Sequence, residues 1–288
     1  MFKKIASLAL SCVLLVPGSG SAEQDNLPVY KFGVTPWQHG QQADDIRARY
    51  KPMMDWLGNQ VGAKFIIIEA RDYDQGIEYL ANGVVHFAHV SPVPYVRAKN
   101  INPNINILVT GVRWNKDRTQ QIDSYLGHFV TLKRRDDLNS ITDLKGSRFG
   151  FVDKDSSSGY KYPVAELKKK GIDYTNYFRK FYFLGSHPRL TDAVAAGSID
   201  AGATWDFNLK EAIAKHGDIF KIIHTTPPIP NLNISAHPSM PREMQLKIRR
   251  ALTKIDKEAL KLIMDTGYVV RPDEFYDVVR DMTGVRRR

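Results

Sequence analysis

Short apolar runs alternate with segments of helical period along the chain, which is the pattern of a mainly parallel sheet covered by helices. The predicted elements of the first part are strands over 29–35, 64–69 and 85–88 and helices over 42–60, 73–81 and from Pro92 onward. Those of the later part are strands over 148–152, 180–184 and 199–204 and helices over 158–170, 190–196 and 243–264. The pattern therefore predicts an α/β protein with two sets of strands and helices.

Two extended stretches, 124–132 and 225–235, connect the two sets. A chain that crosses near the first and returns near the second must pack its last residues against the first set. We therefore expect a discontinuous lobe one, residues 23–123 plus 235–288, and a lobe two, residues 124–234, which includes the crossings. Two such lobes form a hinge with a cleft between them, and α/β ligand sites lie at the carboxyl ends of strands that face such a cleft.

The amino terminus has the pattern of a secretory signal peptide, residues 1–22. A positively charged start precedes an apolar run over 5–16, which is too short to span a bilayer, and small residues precede a predicted cleavage before Glu23. We therefore expect the mature protein to be exported. Cys12, the single cysteine, leaves with the signal unless it carries a lipid tether, which the sequence before it disfavours. We therefore expect no thiolate chemistry in the mature chain.

The charge balance is basic, with 41 Lys and Arg against 31 Asp and Glu and a formal net charge of +10. This favours anionic partners, although solubility alone also explains it. The basic runs are short and dispersed and no nucleic-acid-binding motif is present, so nucleic acid is not a predicted partner. His86 and His89 lack a nearby third ligand, and no metal or cofactor is predicted.

The most informative segment is a predicted strand, 148–152, that runs into Ser156, Ser157, Ser158 and Gly159 at the start of a helix. A helix start offers free backbone N–H groups and partial positive charge, and serine hydroxyls add donors, so an oxyanion is held without a metal. The alternative is simple helix capping, for which one serine suffices. Three serines before a glycine favour anion binding.

Further polar side chains follow the ends of predicted strands. His187 and Asp206 stand at helix entrances in the second set, where each is either a ligand contact or a helix cap. Ser91, Tyr50 and Tyr95 occupy comparable places in the first set. A tyrosine can pack its ring on an apolar ligand group while its hydroxyl donates to an oxygen, but core or surface packing is the alternative for each.

The residues resemble a family at this point, the periplasmic substrate-binding proteins of phosphonate, phosphite and phosphate ABC importers. The segments that carry the resemblance are ordered and spaced alike: Phe32-Gly33-Val34 with Pro36, Arg49-Tyr50 with Pro52, Ala70-Arg71-Asp72-Tyr73, 83–88, Asp143-Leu144-Lys145-Gly146, 156–160, Gly185-Ser186-His187 and 200–204. Together they cover most of the mature chain.

The resemblance implies a two-lobed binding protein that closes over a small phosphorus oxyanion and delivers it to an ABC permease in the inner membrane. The sequence does not indicate an oligomeric state, and a monomer is the default expectation. By motif, the three serines match the family's phosphonate cradle, and His187 its second-lobe histidine. Tyr50 and Tyr95 match its lobe-one tyrosines, and Asp206 falls where aminoalkylphosphonate-binding members carry an acid.

One segment departs from the family pattern. Members that bind aminoalkylphosphonates tend to have Pro-Asn-Asp in the return crossing, where this chain has Pro230-Asn231-Leu232-Asn233. A buried ammonium needs paired carboxylates or equivalent acceptors. The departure therefore favours phosphite, phosphate or a short alkylphosphonate as the ligand, although Asn231 or Asn233 would still offer hydrogen bonds.

Two alternative functions remain open. The same cleft could serve a sensing domain that reports its ligand to a membrane signalling partner. The three serines with His187 and Asp206 could also be the nucleophile, base and orienting acid of a serine hydrolase, but the chain has no Gly-x-Ser-x-Gly motif there. The sequence predicts a binding protein rather than an enzyme.

Overall fold

The computed structural model describes residues 26–35, 46–115 and 117–285. Its strands, in chain order, are Val29–Val34 (β1), Lys64–Glu69 (β2), Phe87–Val90 (β3), Asn106–Trp114 (β4), Gln121–Ile122 (β5), Ser124–Tyr125 (β6), Gly127–Leu132 (β7), Arg148–Phe151 (β8), Lys180–Phe183 (β9), Ala201–Trp205 (β10), Phe220–Thr225 (β11), Ile229–Pro230 (β12), Asn233–Ala236 (β13) and Gly267–Val269 (β14). They form two larger sheets and one two-stranded ribbon.

The helices cover both sheets. They are Ile46–Val61 (α1), Tyr73–Ala81 (α2), Pro92–Ile101 (α3), Tyr162–Lys169 (α4), Tyr174–Tyr177 (α5), His187–Ala195 (α6), Asp206–His216 (α7), Arg242–Leu252 (α8) and Asp277–Thr283 (α9). A π-helical turn, Ser157–Lys161, precedes α4. Short 3-10 turns span Ile141–Leu144, Glu258–Leu260 and Asp273–Tyr276.

Each lobe is built on one sheet, which confirms the predicted two-lobed α/β class. The sheet of lobe one has the order β14-β4-β13-β3-β1-β2 with β5 beside β4, and the sheet of lobe two has the order β11-β7-β10-β8-β9. The ribbon pairs β6 with β12, one strand from each crossing between the lobes. The exact domain boundaries at 123/124 and 234/235 stay a prediction.

The sheets are mixed, so the expectation of a mainly parallel sheet is wrong. β1 runs parallel to β2 and β3, and β8 runs parallel to β9 and β10. By contrast, β7 and β13 are antiparallel to both of their neighbours. These two strands enter their sheets directly from the crossings rather than through a strand-helix-strand unit, the connection that keeps successive strands parallel.

Helix α1 shows how the apolar pattern positions a predicted site residue. Its buried side chains include Tyr50, Met53 and Leu57, which recur every three to four residues and pack on the sheet of lobe one. Phe32 from β1 lies against Tyr50 with ring centroids 5.5 Å apart. The apolar face of this helix therefore turns Tyr50 into the core.

Most predicted elements are present, but one helix is wrong in extent. The strand over 64–69 and the helix over 73–81 have the predicted bounds. The helix predicted over 243–264 ends at Leu252 as α8, and irregular turns with β14 follow it. Ile255 and Leu260 pack on the core of lobe one from those turns, so burial rather than helical geometry spaces them. Seven strands and helices were not expected from the sequence: β4, β5, β11, β14, α5, α7 and α9.

The predicted signal peptide, its cleavage site and Cys12 lie outside the described residues, as do positions 42–45 of the first predicted helix. Among the residues that the structure describes, none of the helices combines the length and the apolar character needed to cross a membrane.

Candidate ligand-binding site

A small cavity with an empty volume of about 280 Å³ lies where the two lobes meet. Its lining is aromatic, hydroxylic and apolar: Tyr73, Ser91, Tyr125, Ser156, Ser157, Ser158, His187, Trp205 and Leu232. Of these described residues none carries a carboxylate, an ammonium or a guanidinium.

The serine-rich helix start forms the lobe-two wall of the cavity. Ser156 caps the helix, and its Oγ accepts a hydrogen bond from Gly159 N at 3.0 Å. The first turn is π-helical, with Lys161 N donating to Ser156 O at 3.0 Å. Ser157 and Ser158 sit in this wide turn with 2% of each residue exposed. π-helical turns are frequent at functional sites, and here the turn presents hydroxyls and first-turn N–H groups to one point.

Gly159 allows this helix start to approach the end of β8. A Cβ at this position would lie 2.5 Å from the Cβ of Val152 and 2.7 Å from Ser156 Oγ. Both distances are shorter than side-chain atoms tolerate, so a larger residue must displace the serines or the strand. Close packing between the helix start and the strand therefore explains why the motif has a glycine at position 159.

His187 adds a neutral ring to the same wall. It is the first residue of α6, and its Nε2 lies 3.4 Å from Ser156 Oγ. Its Nδ1 lies 3.0 Å from Thr204 Oγ1, which also accepts from Asn208 Nδ2 at 3.0 Å. Complete burial lowers the pKa of His187 to about 3. The ring is therefore uncharged at neutral pH and contributes a hydrogen bond rather than a charge.

The lobe-one wall contains the start of helix α3. Ser91 is its N-cap residue, and within the described part of the chain its buried Oγ has no hydrogen-bond partner. Pro92 and Pro94 have no N–H to offer. Val93 N donates to Ser157 Oγ at 3.1 Å, so the two helix starts touch across the cleft.

An ion pair also joins the lobes near the cavity. Arg97 on α3 contacts Asp155, which directly precedes the serines, and it lies 3.3 Å from Asp74 on α2. Burial raises the pKa of Asp155, while Arg97 opposes that effect. Together with the contact between Val93 and Ser157, this pair defines a closed arrangement of the lobes.

Two tyrosines that the sequence analysis did not assign to the site line the cavity. The Tyr73 hydroxyl lies beside Ser156, and burial raises the pKa of Tyr73. Burial also raises the pKa of Tyr125 to about 12, against the hydroxyls of Ser158 and Ser157. Both phenols are therefore neutral donors. Tyr73 stood within a segment of the family resemblance and Tyr125 at the start of a crossing, so their positions rather than their residue type were the available clue.

Tyr50, Tyr95 and Asp206 lie outside this cavity. The Tyr50 hydroxyl pairs with His89 Nδ1 at 2.7 Å in the core of lobe one. Tyr95 donates to Asp273, and its ring centroid lies 5.0 Å from that of Tyr276. Asp206 is exposed at the start of α7, where it accepts from Phe207 N at 2.8 Å. The structure thus brings the three serines, Ser91 and His187 together but not these three residues, whose ligand contacts stay a prediction.

The return crossing places one apolar side chain in the cavity. Leu232 lines it and is 3% exposed. The asparagines on either side serve the fold: Asn231 Nδ2 donates to Gly111 O at 3.0 Å, and Asn233 Oδ1 accepts from Ser235 Oγ at 2.6 Å. The position that departs from the family pattern is therefore the one that faces the cavity.

Metal-ligating side chains are not clustered in the described ranges: no group of three or more His, Cys, Asp or Glu is placed to hold an ion. His86 Nδ1 accepts from Lys31 N at 2.9 Å, and His89 lies in the core of lobe one. The two histidines have separate structural partners.

A family model described as "ABC transporter, phosphonate, periplasmic substrate-binding protein" matches residues 32–275. The chain belongs to this family. The predicted resemblance and the predicted class, a solute-binding protein of an ABC importer, are confirmed.

Individual members of the family resemble the chain along most of its length. The phosphate-import protein PhnD of Mycolicibacterium smegmatis is 27% identical over 226 residues, 75% of this chain and 69% of that protein. A binding protein component of an ABC phosphonate transporter from Pseudomonas aeruginosa has a TM-score of 0.79 at 19% identity, covering 89% of this chain and 86% of the other. PhnD1 from Prochlorococcus marinus, solved with methylphosphonate, has a TM-score of 0.76 at 20% identity, covering 88% and 96%.

Membership places the chain among periplasmic transport components that work with a membrane permease. These relatives are binding proteins rather than enzymes. In keeping with this, the His187 ring pairs through Nδ1 with the Thr204 hydroxyl and not with Asp206. The serine, histidine and acid imagined as a hydrolase site are thus not assembled.

Proposed function

We propose that this phosphonate-family binding protein captures a small phosphorus oxyanion that carries one apolar substituent, either phosphite or a short alkylphosphonate. Phosphate is expected to bind the same cavity more weakly. The observation that carries the proposal is the pairing of the Ser156–Ser158 helix start with an apolar surface, Leu232 and Trp205, in one cavity between the lobes.

The oxygens of the ligand are assigned to the serine side. A helix start holds an anion through its first N–H groups and the partial positive charge of the helix. Hydroxyls from Ser157, Ser158, Tyr73 and Tyr125 supply further donors around the same point. Because no cationic side chain lines the cavity among the described residues, hydrogen bonds rather than ion pairs select the ligand.

The fourth substituent is assigned to Leu232 and the Trp205 ring. A hydrogen or methyl group on phosphorus is satisfied by apolar contact, whereas a P–OH group next to leucine would lose a hydrogen bond to water. An ammonium group on the ligand would cost more free energy to bury than a P–OH group, because the cavity lining contains no carboxylate to pair with it. The leucine of the Pro-Asn-Leu-Asn segment thus occupies the place where an acid would be needed to bind an ammonium group.

Transport rather than chemistry is the proposed outcome. Neutral His187 next to a threonine hydroxyl lacks the acid that would stabilise a charged imidazole, so we assign Ser156 and His187 to binding and not to catalysis. The closed protein, exported as a monomer to the periplasm, would deliver its ligand to an ABC permease. A sensing role uses the same cleft and differs only in the membrane partner.

Calorimetric titration of the mature protein tests the ligand. Protein freed of bound ligand by unfolding and refolding is titrated with phosphite, methylphosphonate, phosphate, aminoethylphosphonate and sulfate. We expect phosphite or methylphosphonate to bind most tightly, phosphate more weakly and sulfate least. Tightest binding of aminoethylphosphonate would contradict the assignment of the apolar wall, and no binding of any phosphorus species would contradict the function.

A substitution at Leu232 tests the apolar wall separately. Leu232→Asp places a carboxylate against the ligand, so methylphosphonate affinity should fall and aminoethylphosphonate affinity should rise relative to it. Leu262→Asp is the matched control, since Leu262 is 46% exposed. An unchanged ratio of the two affinities in Leu232→Asp would contradict the wall.

A further inference from the structure

A buried arginine stands behind the aromatic part of the cavity wall. Arg113 belongs to β4 in lobe one, and its guanidinium carbon lies 4.8 Å from the centre of the Trp205 ring and 5.7 Å from that of Tyr125. Both rings line the cavity, but Arg113 does not. Its side chain is 11% exposed, so the charge is largely removed from water.

The arginine is held from the core of lobe one. Its Nε lies 3.5 Å from Asp265 Oδ1, and the other carboxylate oxygen lies 3.2 Å from His89 Nε2. The His89 ring continues to the Tyr50 hydroxyl. Gly111 makes room for the carboxylate, because a Cβ there would lie 2.6 Å from Asp265 Oδ1. A continuous set of contacts thus runs from Tyr50 to the cavity wall.

The electrostatics of this set keep Asp265 charged. Burial raises the pKa of Asp265, but the His89 ring, Arg113 and the Tyr268 hydroxyl together hold it below its ordinary value. Within the described residues, Nε and Nη1 of Arg113 make no hydrogen bond, while Nη2 contacts Met264 Sδ at 2.6 Å. The guanidinium therefore presents its charge to the two rings. Such cation–π contacts strengthen when the cation is desolvated.

We propose that Arg113 is a positioning residue for the ligand, which fixes the Tyr125 and Trp205 rings in the cavity wall and supplies the cavity with positive potential from behind them. This inference rests on the proposed function. Trp205 belongs to the sheet of lobe two and Arg113 to that of lobe one, so the contact also favours the closed arrangement. The Tyr125 hydroxyl, near Ser157 and Ser158, becomes a stronger donor next to the cation.

The test compares Arg113→Met and Arg113→Lys with the wild type by calorimetric titration of methylphosphonate from pH 5 to pH 8. We expect Arg113→Met to bind at least tenfold more weakly at pH 8, and Arg113→Lys to recover most of that loss. The rise in affinity as the ligand loses its second proton should be smaller in Arg113→Met, because the missing positive potential acts most on the dianion. A purely structural role would lower affinity equally at every pH.

Arg249→Met is the matched control. Arg249 is another partly buried arginine of lobe one, and it donates to the carbonyl oxygens of Leu108 and Ile107 at 3.1 and 2.8 Å. Arg249→Met should leave the pH profile of methylphosphonate affinity unchanged. If Arg113→Met does not fold, the double variant with Asp265→Asn removes the unpaired buried carboxylate and is measured instead.

The outcomes separate the two proposals. A wild type that binds none of the phosphorus oxyanions would contradict the proposed function. A wild type that binds methylphosphonate, together with an Arg113→Met variant of equal affinity and equal pH profile, would overturn the role of Arg113 alone.

Discussion

Two helix starts face each other across the cavity, and they are built from different residues. The lobe-two start has three serines, a glycine and a wide π-helical turn. The lobe-one start has a single serine between a strand and two prolines, and its one remaining early N–H, from Val93, is used on Ser157. The first is rich in hydrogen-bond donors that line the cavity, and the second is poor in them.

This difference indicates a division of work between the lobes. Lobe two has the hydrogen-bonding groups to hold an oxyanion while the cleft is open. Lobe one contributes Tyr73, Ser91 and contacts to lobe two, which exist only when the lobes meet. A ligand shifts the protein toward closure only by the extra contacts that it makes in the closed form. Changes in lobe two should therefore weaken binding itself, and changes in lobe one should mainly hasten release.

Among single substitutions at the two helix starts, the largest expected effect comes from filling the space at Gly159. Gly159→Ala puts a methyl group against Val152 and displaces the serines, and overpacking of this kind costs about 1–3 kcal/mol. Because the displaced serines are the ones assigned to the ligand, this cost should weaken the affinity for the ligand by roughly tenfold to a hundredfold. Titration with methylphosphonate measures it. Gly267→Ala is the control, since a Cβ there meets no atom closer than 3.4 Å. Equal affinities of Gly159→Ala and Gly267→Ala would contradict the assignment of ligand binding to the serines of lobe two.

The buried ring of His187 predicts a pH dependence of stability. Its pKa is about 3 in the folded protein against an ordinary value of 6.5, so both states are uncharged above pH 6.5. Below that pH the His187 ring is protonated in the unfolded chain but not in the folded chain. The free energy of unfolding therefore falls as the pH is lowered toward 3. Between pH 7 and pH 5 the loss from this group is about 2 kcal/mol.

Urea unfolding of ligand-free wild type and His187→Asn at the two pH values measures this contribution. The free energy of unfolding should fall by about 2 kcal/mol less in the variant than in the wild type. An identical pH dependence of both proteins would show that the His187 ring is not buried and neutral, and the polar wall of lobe two would have to be reassigned.

A smaller effect is expected from the ion pair across the cleft. Arg97→Met removes the partner of Asp155, whose side chain is 11% exposed. A partly exposed pair contributes about 1 kcal/mol, so ligand release should become about fivefold faster with little change in the association rate. Stopped-flow fluorescence with displacement of the ligand measures both rates.

The control for this variant is Lys51→Met. Lys51 and Asp55 form a pair within α1 whose side chains are 69% and 59% exposed. Removal of this pair should leave the rate of ligand release unchanged. Slower association in Arg97→Met, with unchanged release, would mean that the pair steers the ligand rather than holding the lobes together.

The sequence pointed to some of the residues that line the cavity and not to others, for a physical reason. Ser156–Ser158 and His187 act through local geometry, a strand end followed by a helix start, which sequence spacing encodes. Tyr50 and Tyr95 instead lie on buried helix faces, where packing decides the direction of a side chain. Tyr73 and Tyr125 reach the cavity only because the two lobes meet there, and single-sequence patterns do not encode that contact.

The return crossing illustrates the same limit. The sequence marked Leu232 as a departure from the family pattern, but its place in the cavity depends on the pairing of β12 and β13 with strands far away along the chain. The segment after α8 likewise includes a strand, β14, whose partner β4 lies far away along the chain.

The most direct test of the division between the lobes is the affinity of a Ser157→Ala, Ser158→Ala double variant beside that of Ser91→Ala, titrated with methylphosphonate. Hydrogen bonds to a charged group contribute about 1.5–3 kcal/mol each, so the double variant should bind at least roughly a hundredfold more weakly. Ser91→Ala should lose less than about tenfold, since the oxyanion is not assigned to its hydroxyl and an ordinary hydrogen bond contributes about 0.5–1.5 kcal/mol. Thermal unfolding checks that both variants are folded. Wild-type affinity in the double variant, or a larger loss in Ser91→Ala, would contradict the assignment of the oxyanion to lobe two.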